Sequence, residues 1–176
     1  MAAVTKILPA SKRVEPPQSE SSTLREVLGL MVVALALAML LSLISFHPAD
    51  ASWSVAGSRG GVHNWIGRIG AVVADLVFQT FGLVAFFLPV VIGFLAWKLF
   101  HEGGTLPSLS QFGGVVLGML ACTGLLSLVP QFPMFRERIR PGGFVGYLIA
   151  TFLETSLNKV GTALLLGMAI VMALML

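Results

Sequence analysis

The sequence predicts an all-α fold of the polytopic membrane class: four transmembrane helices plus a short interfacial helix before the last span. Three observations carry that prediction. Hydrophobic residues make up 56% of the 176-residue chain and charged residues only 11%, whereas a soluble domain carries about a quarter charged residues; mean hydropathy is +0.92. Long apolar runs recur along the chain. The longest, Ile69 to Trp97, would measure roughly 43 Å as a helix, more than the ~30 Å hydrocarbon core of a bilayer. Polar segments bearing Pro and Gly separate the runs. The net charge of +3 is small and scattered. It does not describe a nucleic-acid surface, and it fits loop Lys and Arg facing phospholipid or cytoplasm. With Cys122 as the single cysteine, no intrachain disulfide can form.

Residues 1–23 form a polar tail with Pro9, Pro16 and Pro17 and mixed charge. Too little apolar surface is available there to offset the entropy of ordering, which predicts disorder. Ser22 or Thr23 with Glu26 resembles a capping box at the start of the first helix. The remainder, residues 24–176, is expected to form one membrane domain, with spans near 27–46, 69–97, 112–129 and 160–176.

The first run, Val27 to Phe46, matches one span in length. A signal peptide is the competing reading, because Ala49-Asp50-Ala51 mimics a cleavage site; the run is longer than a usual h-region and its leading tail is long. Ala34, Ala38 and Ser42 form a small-residue stripe on which another helix could pack. A loop with Pro48, Gly57, Gly60 and Gly61 follows, with Trp53 and Trp65 suited to the membrane interface. His47 and His63 are not expected to bind metal, for want of a cysteine or an ordered acidic cluster beside them.

In the second run, Asp75 and Gln79 lie one helical turn apart and share a face with Gly82. An acid inside a membrane segment is a functional candidate, for instance in a proton relay; packing or capping is the plainer role. Pro89 is expected to kink the second half of this helix. After a polar turn, Phe112 to Val129 forms the third span, with Gly114, Gly118 and Cys122 on one face as the clearest helix-packing signal. Residues 130–143 form a loop with Arg136, Arg138 and Arg140, a solvated cluster or a site for lipid headgroups or an acidic partner. Residues 144–159 read as an interfacial helix, which Gly161 separates from the last run, Val160 to Leu176. The chain stops within that run, which predicts a fragment of a longer polypeptide or a truncated frame.

Lys and Arg divide almost evenly between the two sides of a four-span arrangement. The charges just before the first span favour a cytoplasmic N-terminus, and four spans would return the C-terminus to the same side. Motifs for catalysis are missing from the sequence. None of Lys6, Lys12, Lys98 or Lys159 follows a glycine, so there is no P-loop. Nor is there a Gly-x-Ser-x-Gly elbow, a His-Glu-x-x-His or a Cys-x-x-Cys. No enzyme activity, cofactor or resident metal is expected.

Three phrases taken together resemble a known family. The first is Ser45-Phe46-His47-Pro48-Ala49-Asp50-Ala51-Ser52-Trp53-Ser54. The second runs from Val62-His63-Asn64-Trp65 through Gly70-Ala71-Val72-Val73-Ala74-Asp75-Leu76. The third runs from Phe81-Gly82 through Pro89 to Ala96-Trp97-Lys98. They are similar to the N-terminal membrane domain of the FtsK/SpoIIIE bacterial DNA translocases, with Ala51 in place of a frequent proline. The resemblance implies four spans in the bacterial inner membrane, several copies held together by a hexameric ATPase motor, and contacts with other division proteins. It also implies that DNA is handled only through that motor, which lies outside these residues. The expected role is therefore a membrane anchor and assembly module that tethers a chromosome-segregation motor at the septum. Two rivals stand beside it: a small channel or transporter with Asp75 and Gln79 in a polar path, and a stand-alone membrane scaffold without a motor.

Overall fold

The computed structural model describes residues 19–52, 61–101, 107–129 and 139–176. These are helical, with no strand among them. In chain order they form α1 (Ser19–Ile44), α2 (Gly67–Phe81), a 3-10 turn (Gly82–Phe86), α3 (Phe87–His101), α4 (Leu109–Leu128) and α5 (Gly143–Met175). Four stretches are long and apolar enough to cross a membrane: Thr23–Ile44, Gly67–His101, Leu109–Leu128 and Gly143–Met175. The all-α, four-span class read from the sequence is the observed one.

The packing is that of a membrane protein. The buried apolar positions are mostly small: Ala36, Ala71, Ala74, Ala85, Ala96, Ala121 and Ala150. Most large aliphatic and aromatic side chains point outward, Leu35 and Phe94 each 59% exposed and Leu174 83%. In water that surface would be untenable. In a bilayer, lipid tails are as apolar as leucine, so helices associate through close backbone approach at small residues.

α1 pairs with α3 along much of its length, Gly29 lying under the ring of Phe100. At its other end, Ser42 of α1 packs against Gly70 of α2. From Gly29 to Ser42 is only ~20 Å of helix, whereas Gly70 to Phe100 would be ~45 Å if straight. The second stretch therefore cannot run straight beside α1. The break falls at Gly82, which adopts φ 60, ψ −135 and ends α2. Leu83 N then donates to Pro141 O at 2.8 Å, so the freed backbone is bonded to the segment entering α5. A side chain at Gly82 would collide with that same Pro141 carbonyl, which leaves glycine as the residue that fits. Pro89, where the sequence led one to expect a kink, sits in the first turn of α3, directly after the 3-10 turn.

Phe78 lies in a buried apolar cluster with Leu43, Ala74, Ala85 and Ile139. Phe46 and Phe86 pack on its ring at 5.1 and 5.5 Å between centroids, the tilted and edge-on geometries that aromatic pairs favour. α4 packs extensively on α5. The second half of α5 is separated from residues 143–157 by a single non-helical residue, Asn158, at φ 58, ψ 168. The break thus falls at Asn158 and not at Gly161. Asn158 combines positive φ with an extended ψ, a conformation ordinarily left to glycine, and its Oδ1 accepts from Lys159 N at 2.6 Å. α1 is already helical at Ser19, ahead of the start proposed at Ser22 or Thr23.

Candidate functional site

The densest polar construction in the described residues joins the end of α1 to the start of α2. α1 runs out at Ile44, and the chain turns through His47 to Asp50, with Asp50 N donating to His47 O at 3.1 Å. The Asp50 carboxylate is buried and faces residues 63 and 64. Its Oδ1 accepts from His63 N at 2.9 Å and lies 2.8 Å from His63 Nδ1; its Oδ2 accepts from Asn64 N at 2.9 Å. Asn64 extends the network: its Nδ2 donates to Ser42 O at 2.8 Å and its Oδ1 accepts from Ile66 N at 3.0 Å. Ser42 Oγ in turn donates to Gly70 O at 2.6 Å. Trp65 N donates to Ser45 Oγ at 3.0 Å. Gly70 is required by closeness, since a Cβ there would strike Asn64 Oδ1 and Ile66 Cβ.

This clasp satisfies polar groups at the point where α1 and α2 meet, and a buried polar group left without a partner is costly. Burial pushes the Asp50 carboxyl up, but the bonds from His63 and Asn64 outweigh it and hold it below the ordinary 3.8. His47 stacks obliquely on His63, with 4.7 Å between ring centroids. Donor atoms of His47, Asp50 and His63 lie within 4.8 Å of one another. The acidic companion that the sequence did not offer the two histidines is Asp50, brought to them by the turn.

Of the family-phrase residues, Pro48 and Ser52 are half-buried beside Asp50, while Trp53 and Ser54 lie outside the described residues. Arg136 and Arg138 also lie outside them; Arg140 stands 4.1 Å over the Tyr147 ring, a cation–π contact. Asp75 is buried, and Gln79 Nε2 donates to its Oδ1 at 3.0 Å. The two candidate intramembrane polar residues therefore engage each other. Of the small-residue stripe on α1, Ala34 is exposed, Ala38 half-buried and Ser42 buried; Gly29, Ala36 and Leu43 are the other buried positions among the described residues of α1. On α4, a Cβ at Gly114 would lie 2.9 Å from Ala173 O, and one at Gly118 3.3 Å from Ala173 Cβ. That glycine face is occupied by the end of α5, with Cys122 half-buried beyond it. Sequence reasoning missed Gly124, whose Cβ would meet Leu166 and Ile149. It also missed Asn64 and the tie between Lys98 and Gln111, where Lys98 Nζ donates to Gln111 Oε1 at 3.1 Å. Gln111 also closes a capping box with Ser108.

Comparison with known proteins bears on these features. A family model described as the 4TM region of DNA translocase FtsK/SpoIIIE matches residues 21–176. The DNA translocase FtsK of Shewanella oneidensis is 32% identical over 142 residues, 78% of this chain and 16% of that protein. That of Vibrio vulnificus is 32% identical over 146 residues, covering 80% and 14%. That of Azospirillum brasilense is 29% identical over 150 residues, covering 80% and 24%. The chain thus spans under a quarter of the length of these relatives. No solved structure matches it significantly.

Proposed function

The chain belongs to the 4TM-region family of the DNA translocases FtsK/SpoIIIE, and from that premise we propose that it is the membrane anchor and assembly module of such a translocase. It is a multi-pass membrane domain. In this reading it sits in the bacterial inner membrane with its N-terminus in the cytoplasm and holds an ATP-driven DNA motor at the division septum. Association with further copies of itself and with other division proteins belongs to the same proposal, and any DNA contact would be made by the motor.

The observation that carries the reading is the family match over residues 21–176, which coincides with the four membrane-length stretches. The chemistry of the domain agrees with anchoring. Its polar side chains clasp helix to helix, and Asp75 bonds Gln79 in a buried position. Among the described residues Asp75 and Gln79 bond each other, which supports a packing role for the pair over a polar path. The test is the position in dividing cells of a fluorescent protein fused to residues 1–176. Enrichment at the septum is expected; a uniform membrane signal would refute septal tethering.

A further inference from the structure

The geometry points to a divalent transition-metal site, best matched to Zn²⁺, built from His47, Asp50 and His63, which staples the end of α1 to the start of α2. The donors are two imidazoles and one carboxylate, the set that borderline cations such as Zn²⁺ prefer and that hard cations such as Mg²⁺ do not. All three donor atoms lie within 4.8 Å of one another. Donors about 2.0–2.2 Å from a shared Zn²⁺ at tetrahedral angles stand about 3.3–3.5 Å apart, so small side-chain rotations suffice.

The three residues have different roles in such a site. Asp50 is preorganised: its side chain is 1% exposed and its oxygens are fixed by the N–H groups of His63 and Asn64. That fixes a negative charge where the cation would rest. The His63 ring is 55% exposed, which gives the ion a route in from water and leaves room for a water ligand. His47 completes the set from the opposite side of the turn, its ring beside that of His63. The Nδ1–Oδ1 contact of 2.8 Å between His63 and Asp50 is a hydrogen bond when Nδ1 carries the proton. On metal binding, Nδ1 offers its lone pair instead and the neutral ring keeps its proton on Nε2. An imidazolium would release one proton to solvent. Because His47 follows α1 and His63 precedes α2, the ion would close the loop of residues 47–63 and stabilise the native state in proportion to its free concentration.

The test uses the full chain, purified in detergent with no polyhistidine tag, stripped with chelator and titrated with Co²⁺ and then Zn²⁺. One Co²⁺ per chain should bind with visible d–d bands, Zn²⁺ should displace it, and Zn²⁺ should raise the melting temperature. His47→Ala is the decisive variant, since its ring is exposed and hydrogen-bonds within its own turn. It should keep the helical circular dichroism of the metal-free chain and lower metal affinity at least about tenfold, the loss seen even for supporting partners at metal sites. His101→Ala, far along the sequence on α3, should bind as the parent chain does. Failure of the parent chain to take up Co²⁺, uptake that His47→Ala leaves unchanged, or uptake that His101→Ala abolishes would each overturn the assignment.

Discussion

Asp50 links two segments that no periodicity connects. Replacing it by asparagine keeps the shape but removes the charge and turns an amide toward N–H groups that need an acceptor. Asp50→Asn should cost about 1–3 kcal/mol, the range for losing a hydrogen bond to a charged group in a buried setting, read as thermal unfolding in detergent with chelator present. The sign of the pH dependence follows from its lowered pKa. A depressed carboxyl stabilises the native state above its unfolded value and loses that contribution as pH falls through the folded value. The parent chain should therefore loosen on acidification below the ordinary carboxyl value of 3.8, with a step that Asp50→Asn lacks. The phrase holding Asp50 was legible as a family phrase, and its role was not, because its partners lie 13 and 14 positions away across a loop. The same holds for Asn64, which reads as an ordinary loop residue until Ser42 O is placed beside it.

Among the elements, α4 offers the sharpest contrast. Gly113 and Gly114 are neighbours in sequence, yet a Cβ at Gly113 meets nothing within 4 Å while one at Gly114 meets Ala173 O at 2.9 Å. Gly114→Leu should therefore destabilise the α4–α5 pair, and Gly118→Leu should do so by roughly 1–2 kcal/mol. Gly113→Leu, facing outward, should be nearly neutral. Unfolding by denaturant in mixed micelles would measure all three, and equal effects would contradict the packing described. The small-residue spacing on α4 was readable because it repeats at helical period. The breaks were not. Pro89 and Gly161 are the residues that local rules mark as breakers, but the chain bends where tertiary contacts require it. At Gly82 the backbone of Pro141 and Gly143 approaches too closely for any Cβ; at Asn158 a residue at positive φ lets the chain change direction. Asn158→Gly should consequently be tolerated, whereas Asn158→Val should lose about 1–3 kcal/mol, since a β-branched residue is strained at positive φ. The same micelle unfolding assay reads the difference.

For the molecule as a whole, the second stretch sets the geometry. Gly67–His101 is 35 residues, about 50 Å as straight helix against a ~30 Å hydrocarbon core. The break at Gly82 and the contact of Ser42 with Gly70 hold α2 at the end of α1. Hydropathy revealed four membrane-length stretches, because each holds a long apolar run, but it could not show that residues 143–159 continue into the last one as a single helical stretch bent at Asn158. The total Lys and Arg count did not decide orientation, because the two sides nearly balance, and only the charges ahead of the first span pointed to a cytoplasmic N-terminus. Sidedness can be measured directly. In a Cys122→Ser background, single cysteines at Val62 and Ser108 sample the loops that flank the second stretch, and both positions are exposed. With a cytoplasmic N-terminus, a membrane-impermeant maleimide added to intact spheroplasts should label Val62→Cys and spare Ser108→Cys until the membrane is opened. Labelling of both without permeabilisation would mean that Gly67–His101 does not cross, and the reverse pattern would invert the orientation. The reverse pattern would also move the clasp, and with it the proposed metal site, to a different chemical compartment. The availability of Zn²⁺ to His47, Asp50 and His63 thus depends on the side of the membrane on which the α1–α2 loop emerges.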